Sequence, residues 1–346
     1  MHWSPSQSPS VPTLPPVHRE RRRAPRVPRA PLPSLVTRLA QLGNILRPTP
    51  HVPLAVSGMQ LFAKLEYVNP VGSIKDRPAF WILKRAAERG EICDETTVIE
   101  SSSGNFASAL AAFTRLVGLK FIPVIDPNIS ATYESFLRRS CDRVVKVEER
   151  DDTGGFLKTR LQMVEQLCAT TPHSYWTNQY ANRDAVDAHY HLTAGDICAE
   201  FNSLDYVFIG VSTGGTIAGM SRRLKERYRK VRIIAVDTEG SVIFGDAPRK
   251  RHIPGVGSSI VPPLVSEALI DDVVLIPERE TVAACRELLA THGLFAGGSS
   301  GTAFAAVKRY APKMKSKRPR VLFVCADRGT PYLDTVFDPA WTSRLG

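Results

Sequence analysis

From about residue 45 onward, short apolar runs rich in Val and Ile alternate with longer segments of helical period, and this alternation constrains the fold more than any other feature. Strands are expected at 60–66, 97–100, 120–125, 143–147, 205–210, 231–237, 272–276 and 320–325. Helices are expected at 76–89, from about 105 to Gly118, at 155–168, at 184–201, and near 278–292 and 300–310. Asp76 and Pro78 suit a helix start, while Gly90 and Gly118 suit helix ends. Alternation of this kind predicts an α/β fold of two domains with mostly parallel sheets flanked by helices. In such folds ligands bind at loops beyond the carboxyl ends of strands.

The 346 residues are enough for about two domains, and 43% apolar and 23% charged residues describe an ordinary globular chain. No apolar run reaches the roughly 20 residues that span a bilayer, so no membrane partner is expected. The net charge of +11 suggests nucleic acid only at first sight. Residues 1–33 hold six Arg, one Glu and nine Pro and carry +5 of it, and the other +6 is spread without a basic stripe. Nucleic acid is therefore not expected as a partner. The first forty residues are expected to form a disordered Pro/Arg-rich tail. A transit peptide and an upstream start are the other readings of that stretch, with the tail or the start favoured. Six Cys without C-x-x-C spacing suit reduced, mostly buried thiols in a cytoplasmic protein. His189 and His191 lack an acidic partner motif, so a solvated or capping role is expected and no metal.

Four segments at strand-to-helix junctions carry the chemistry. Lys75 follows the turn Asn69-Pro70-Val71-Gly72 and opens a helix. A surface lysine is the plain alternative. A lysine that traps a carbonyl must drop from about 10.4 toward neutrality, which burial near a helix N-terminus favours. Ser101-Ser102-Ser103-Gly104-Asn105-Phe106 reads as an N-cap cluster or, by the same exposed N–H groups, as a carboxylate site. Gly210-Val211-Ser212-Thr213-Gly214-Gly215-Thr216 follows a buried strand. It lacks G-K-[ST] and G-x-G-x-x-G, so it suits a single phosphomonoester better than a nucleotide. A plain turn is the alternative. Gly297-Gly298-Ser299-Ser300-Gly301 opens a further helix. A neutral Ser299 hydroxyl at a pyridine nitrogen would suit elimination and replacement at Cβ.

In this order, the four motifs resemble the fold-type II pyridoxal 5′-phosphate enzymes of the cysteine synthase and cystathionine β-synthase family, over roughly residues 45–335. The resemblance implies Lys75 as the Schiff-base lysine that also moves the Cα proton. It implies Asn105 at the cofactor 3′-oxygen, Ser299 at the ring nitrogen, and Ser212, Thr213, Gly214, Gly215 and Thr216 at the phosphate. Ser102, Ser103, Gly104, Phe106, Gln179, Tyr180 and again Ser212 become candidate substrate contacts. A homodimer is implied, as is a smaller mobile α/β domain within 41–182. Residues 183–340 would form a larger α/β domain holding the phosphate loop, with strands near 45–75 shared with it.

Ser212 and Phe106 depart from the Gly and Thr usual in the family. Together with Tyr180 and the stretches 237–245, 252–259 and 327–337, they look like the subgroup of 2,3-diaminopropionate-pathway synthases of siderophore clusters. That likeness implies small amino-acid substrates: O-phospho-L-serine and L-glutamate joined to N-(2-amino-2-carboxyethyl)-L-glutamate, a precursor of L-2,3-diaminopropionate. The alternative is a cysteine synthase using O-acetylserine or O-phosphoserine with sulfide. A catalytically silent binding protein and a threonine dehydratase-like enzyme fit less well, the first because Lys75 is intact.

Overall fold

The structure is a computed structural model that describes residues 33–345. The tail expected over residues 1–32 lies outside the described residues. Residues 35–40, expected within it, are instead helical. Helix α1 (Leu35–Gly43) starts at Ser34, whose hydroxyl accepts the Thr37 amide at 3.2 Å. It buries Leu35, Leu39 and Leu42, spaced by four and three, against Phe80. The Pro/Arg composition before it hides this short apolar stripe.

Ten strands make two sheets. The larger takes β1 (His51–Leu54), β2 (Gln60–Leu65), β7 (Tyr206–Gly210), β8 (Arg232–Thr238), β9 (Asp272–Ile276) and β10 (Arg320–Cys325), in the order β1-β2-β10-β7-β8-β9. Only β1 runs antiparallel, at the edge. The smaller takes β3 (Thr97–Ser101), β4 (Lys120–Ile125), β5 (Val145–Lys146) and β6 (Ser174–Trp176), all parallel, in the order β5-β4-β3-β6. The mostly parallel α/β architecture expected from the alternating pattern is what the chain forms. β1 and β6, which the pattern did not announce, are short edge strands, too brief to show a period. The strand expected at 143–147 keeps only two paired residues, because β5 borders β4 alone.

The larger sheet is buried on both faces, and its period-two side chains sort accordingly. Tyr206, Phe208, Ile234, Val236 and Phe323 face one core with α9 (Glu278–His292) and α10 (Gly298–Tyr310). Val207, Ile209, Ile233, Ala235 and Leu322 face the other with α7 (Ala194–Glu200) and α8 (Gly215–Arg227). Helices α2 (Asp76–Glu88) and α3 (Asn105–Val117) share a third core with α1. Helix α4 (Ala131–Ser140) packs on α3, α5 (Leu157–Thr170) covers the smaller sheet, and α11 (Pro339–Thr342) closes the described chain. No helix among the described residues is long and apolar enough to cross a membrane. All six cysteines are unpaired, and only Cys285 and Cys325 are fully buried.

The single helix expected at 184–201 is broken. A wide π-type turn at His189–Thr193 separates α6 (Arg183–Ala188) from α7. Such turns recur where a side chain must be re-aimed. Here α8 presses on the turn: a carbon added at Gly219 would lie 2.8 Å from the Tyr190 nitrogen and 2.9 Å from the His189 Cβ.

A buried ion network fixes the start of α2. Arg77 grips Glu66 with Nε at 2.6 Å and a second nitrogen at 3.0 Å, and also reaches Asp196 at 2.5 Å. Lys64 bridges the same two carboxylates at 3.3 and 3.2 Å, and the Thr49 hydroxyl donates to Glu66 at 2.6 Å. Two cations and two anions therefore tie β2, α2 and α7 together, two residues beyond Lys75.

Candidate active site

The segments that follow β2, β3, β7 and β10 supply residues to one cleft. Lys75, Asn105, Ser212, Thr213, Gly214, Thr216 and Ser299, all singled out in the sequence, line it together with Gly255 and Asp327. Lys75 is the residue from which α2 springs. Its loop is pinned to the end of β10 by the Ile74 amide, which donates to the Ala326 carbonyl at 2.7 Å, and by pairing of Ser73 with Asp327. The Asp76 carboxylate, buried and raised to about 7, accepts the Val71 amide at 2.6 Å and closes the turn.

Lys75 keeps some surface open to the cleft, yet burial lowers its pKa to about 8, against an opposing pull from Glu100. Its Nζ donates to Thr213 Oγ1 at 3.3 Å. An amine so placed is a fraction neutral near pH 7, which a nucleophile or base requires. Glu100, at the end of β3, is itself raised to about 7 by burial and accepts the Thr177 hydroxyl at 2.5 Å.

The glycine-rich loop after β7 presents the N-terminus of α8 to the cleft. Gly214 has φ +88°, and a carbon there would lie 2.7 Å from the Val265 nitrogen. The loop can close only with glycine at this position. Gly215 sits behind it against Ala185. Ser212 Oγ donates its one hydroxyl proton to the Gly257 carbonyl at 3.1 Å, so the donors this loop offers an anion are its backbone amides. Thr216 Oγ1 lies 3.2 Å from His189 Nε2, and His189 Nδ1 lies 2.9 Å from Thr193 Oγ1. Burial, then the charge of Lys75, lowers His189 to about 3, so it is neutral. The solvated or capping role expected for His189 is therefore replaced by a buried one that orients Thr216. At the far end Gly255, with φ +99°, leaves room beside Ser299, whose Oγ would be 3.5 Å from an added carbon.

A second cluster lies at the carboxyl edge of the smaller sheet. Ser102 Oγ accepts the Ala107 amide at 3.2 Å, and Gly104 precedes α3. Ser103 Oγ donates to Asp126 and accepts from Arg160, at 3.1 and 3.2 Å. Arg160 pairs with Asp126 at 3.1 Å. The Gln179 side chain donates to the Ser101 carbonyl at 3.1 Å, and burial raises the Tyr180 hydroxyl against the nearby Arg160 charge. Ser102, Ser103, Gly104, Gln179 and Tyr180 do not line the cleft around Lys75 itself. Phe106 does not belong to either group. One residue beyond Asn105, it is turned by about 100° around α3 and buried in the core with α1 and α2.

Arg160, Asp327, Tyr133 and His189 carried no functional assignment in the sequence. Asp327 stands two residues past the end of β10, so the strand-end rule points to it. The others sit inside helical stretches, where local pattern says nothing of what they face. Among the described residues no His, Cys, Asp and Glu cluster could hold a metal ion.

A buried, partly neutral lysine opposite a glycine-built anion cradle, with hydroxyl and amide groups between them, fits a phosphorylated aldehyde cofactor. The chain belongs to the pyridoxal-phosphate dependent enzyme family, whose model matches residues 43–327. Its cofactor is pyridoxal 5′-phosphate. The chain is 42% identical over 288 residues to N-(2-amino-2-carboxyethyl)-L-glutamate synthase of Ralstonia nicotianae, spanning 83% of this chain and 85% of that protein. It is 43% identical over 289 residues to the protein of the same name from Cupriavidus metallidurans, with the same coverages of 83% and 85%. Among solved structures it is similar to O-acetylserine dependent cystathionine beta-synthase from Helicobacter pylori. That match has a TM-score of 0.78 and 29% identity, covering 89% of this chain and 99% of the other.

Gly214→Ala is expected to destabilise the protein by about 1–3 kcal/mol, because it forces a side chain into a left-handed position against the Val265 backbone. Thermal denaturation and cofactor titration would both register it, with the larger change in cofactor affinity.

Proposed function

We propose that this enzyme joins O-phospho-L-serine to L-glutamate by replacement at Cβ, giving N-(2-amino-2-carboxyethyl)-L-glutamate, a precursor of L-2,3-diaminopropionate. The observation that carries this reading is the 42% and 43% identity, over most of the chain, to two synthases of that name. The α8 N-terminus, with Ser212, Thr213, Gly214, Gly215 and Thr216, holds the cofactor phosphate. Asn105 and Ser299, which line the same cleft, would meet the 3′-oxygen and the ring nitrogen. When bound, the cofactor withdraws electrons from the substrate Cα, so that its proton and a Cβ leaving group can depart. Lys75 is the residue that would link to the cofactor, and its amine, once displaced by the substrate amine, would take the Cα proton and later return it. Ser102, Ser103, Gly104 and Gln179 receive the substrate carboxylate. Arg160, which shares its charge with Asp126 at 3.1 Å, is the guanidinium in this cluster that would meet the leaving phosphate, with the Tyr180 hydroxyl beside it. The same reading makes the enzyme a homodimer of the cytoplasm, with the smaller sheet and its helices as the mobile domain.

The Helicobacter pylori structure supports a second reading, with O-acetylserine as donor and a sulfur acceptor. Incubating the holoenzyme with O-phosphoserine and either glutamate or sulfide separates the two by product mass. Cysteine as the sole product would overturn the first. Arg160→Gln is expected to raise KM for O-phosphoserine by about tenfold or more, since it removes a charge-assisted pair to phosphate. It should leave KM for O-acetylserine nearly unchanged. Equal effects on both donors would place the phosphate elsewhere.

A further inference from the structure

We propose that Asp327 and Tyr133 are positioning residues that hold the Asn105 carboxamide in one orientation across the cleft, leaving one N–H for the cofactor. The proposal rests on the reading that sets the cofactor ring beside Asn105.

A carboxamide has two N–H donors and one oxygen, and it can be turned end for end with little change in shape. Both ends of Asn105 are taken. Tyr133, from α4, donates its hydroxyl to Asn105 Oδ1. Asn105 Nδ2 donates to Asp327 Oδ2 at 2.8 Å. The Tyr332 hydroxyl donates to the same Oδ2 at 2.7 Å, while Oδ1 is buried without a partner. Oδ2 is therefore the accepting oxygen whether or not the carboxyl carries a proton, since a proton would sit on Oδ1. The nitrogen of Asn105 must face Asp327 and its oxygen must face Tyr133. One N–H remains unassigned, on a residue that lines the cleft.

Asp327 is held firmly enough to act this way. Its carbonyl accepts the Gly297 amide at 2.9 Å, and its backbone pairs with Ser73, two residues before Lys75. A carbon added at Gly297 would lie 2.1 Å from Asp327 Oδ1, so the carboxyl is packed directly on that glycine. One residue thus joins the lysine loop and the Ser299 loop through its backbone and Asn105 through its side chain. The chain Tyr133–Asn105–Asp327–Tyr332 runs from the side of the smaller sheet to the end of β10 in the larger.

The test is the dissociation constant of pyridoxal phosphate and the absorbance spectrum of the lysine-linked cofactor, measured on the full chain and its variants. Asp327→Ala and Tyr133→Phe are each expected to weaken binding by about tenfold and to shift the band. Asp327→Asn keeps a carbonyl acceptor and should recover most of the loss. In an Asn105→Ala background, Asp327→Ala should cost nothing further, because its effect passes through Asn105. If Asn105→Ala changes neither affinity nor spectrum, the placement of the ring fails. If Asn105→Ala changes both but Asp327→Ala adds to it independently, or Asp327→Asn is as poor as Asp327→Ala, positioning alone is overturned. Should Asp327→Ala not fold, the Tyr133→Phe and Asp327→Asn variants carry the same decision.

Discussion

Lys75→Ala is expected to abolish turnover, by at least about a thousandfold, while leaving a folded protein. In the proposed reaction the amine both links to the cofactor and moves the Cα proton, and no second lysine lines the cleft. Of the nearby carboxyls, Asp327 accepts from Asn105 and Tyr332, Asp76 from the Val71 amide and Glu100 from the Thr177 hydroxyl. The fold does not depend on the amine, whose one side-chain hydrogen bond is to Thr213 at 3.3 Å. Loss of the lysine-linked absorbance band and of product by mass spectrometry would measure the effect. A variant that keeps both would remove Lys75 from the mechanism.

The same residue carries a pH signature in the cofactor-free protein. Its folded pKa of about 8 lies below the ordinary 10.5, because burial disfavours the charge. Between these values the unfolded chain binds more protons than the folded one, so stability rises with pH across the interval from about 8 to 10.5. Below about 8 the full cost of burying the ammonium is present. Denaturation of wild type and Lys75→Ala across this range should show the rise only in wild type. The rate of covalent cofactor uptake should likewise climb with pH toward about 8, as the neutral amine accumulates.

The second large effect is on stability. Arg77→Met is expected to cost about 3–5 kcal/mol, because it leaves the fully buried Glu66 without its bidentate partner and Asp196 with Lys64 alone. Burial alone would raise the Glu66 pKa. The charges of Arg77 and Lys64, with hydrogen bonds from Arg77 and Thr49, outweigh it and hold the carboxyl well below the usual carboxylate range. A depressed folded pKa contributes stability that is present above the unfolded value, about 4.3, and is lost as pH falls below it. Arg77→Met should therefore move the acid-unfolding midpoint upward as well as lower the denaturant midpoint at neutral pH. An unchanged acid limb would mean that the network does not hold Glu66 ionised.

What was legible follows from where information is local. Lys75, Asn105, Thr213, Gly214 and Ser299 stand at strand-to-helix junctions, where glycine, serine and proline report the backbone conformation directly. That is why the cleft lining and the sequence motifs coincide so closely. The strands at 272–276 and 320–325 were legible for the same reason, being short apolar runs between turns. Helix α1 was hidden by the composition beside it. The break at His189–Thr193 was hidden because a π-type turn keeps helical periodicity on both sides. Phe106 lies in the core apart from Asn105 because adjacency in sequence is not adjacency on a helix.

The chain by itself determined the α/β class, the lysine at the start of α2 and the glycine-rich loop before α8, because each depends on residues within a few positions of one another. Only the tertiary structure decided what surrounds them. Asp327 reaches Asn105 across 222 positions, and Arg77 reaches Asp196 across 119. Both contacts follow from packing between elements far apart in the chain, with β10 set between β2 and β7. Local pattern sets the conformation of each segment and the face it buries. Which distant segment meets that face is a property of sheet order, which no short stretch of sequence contains.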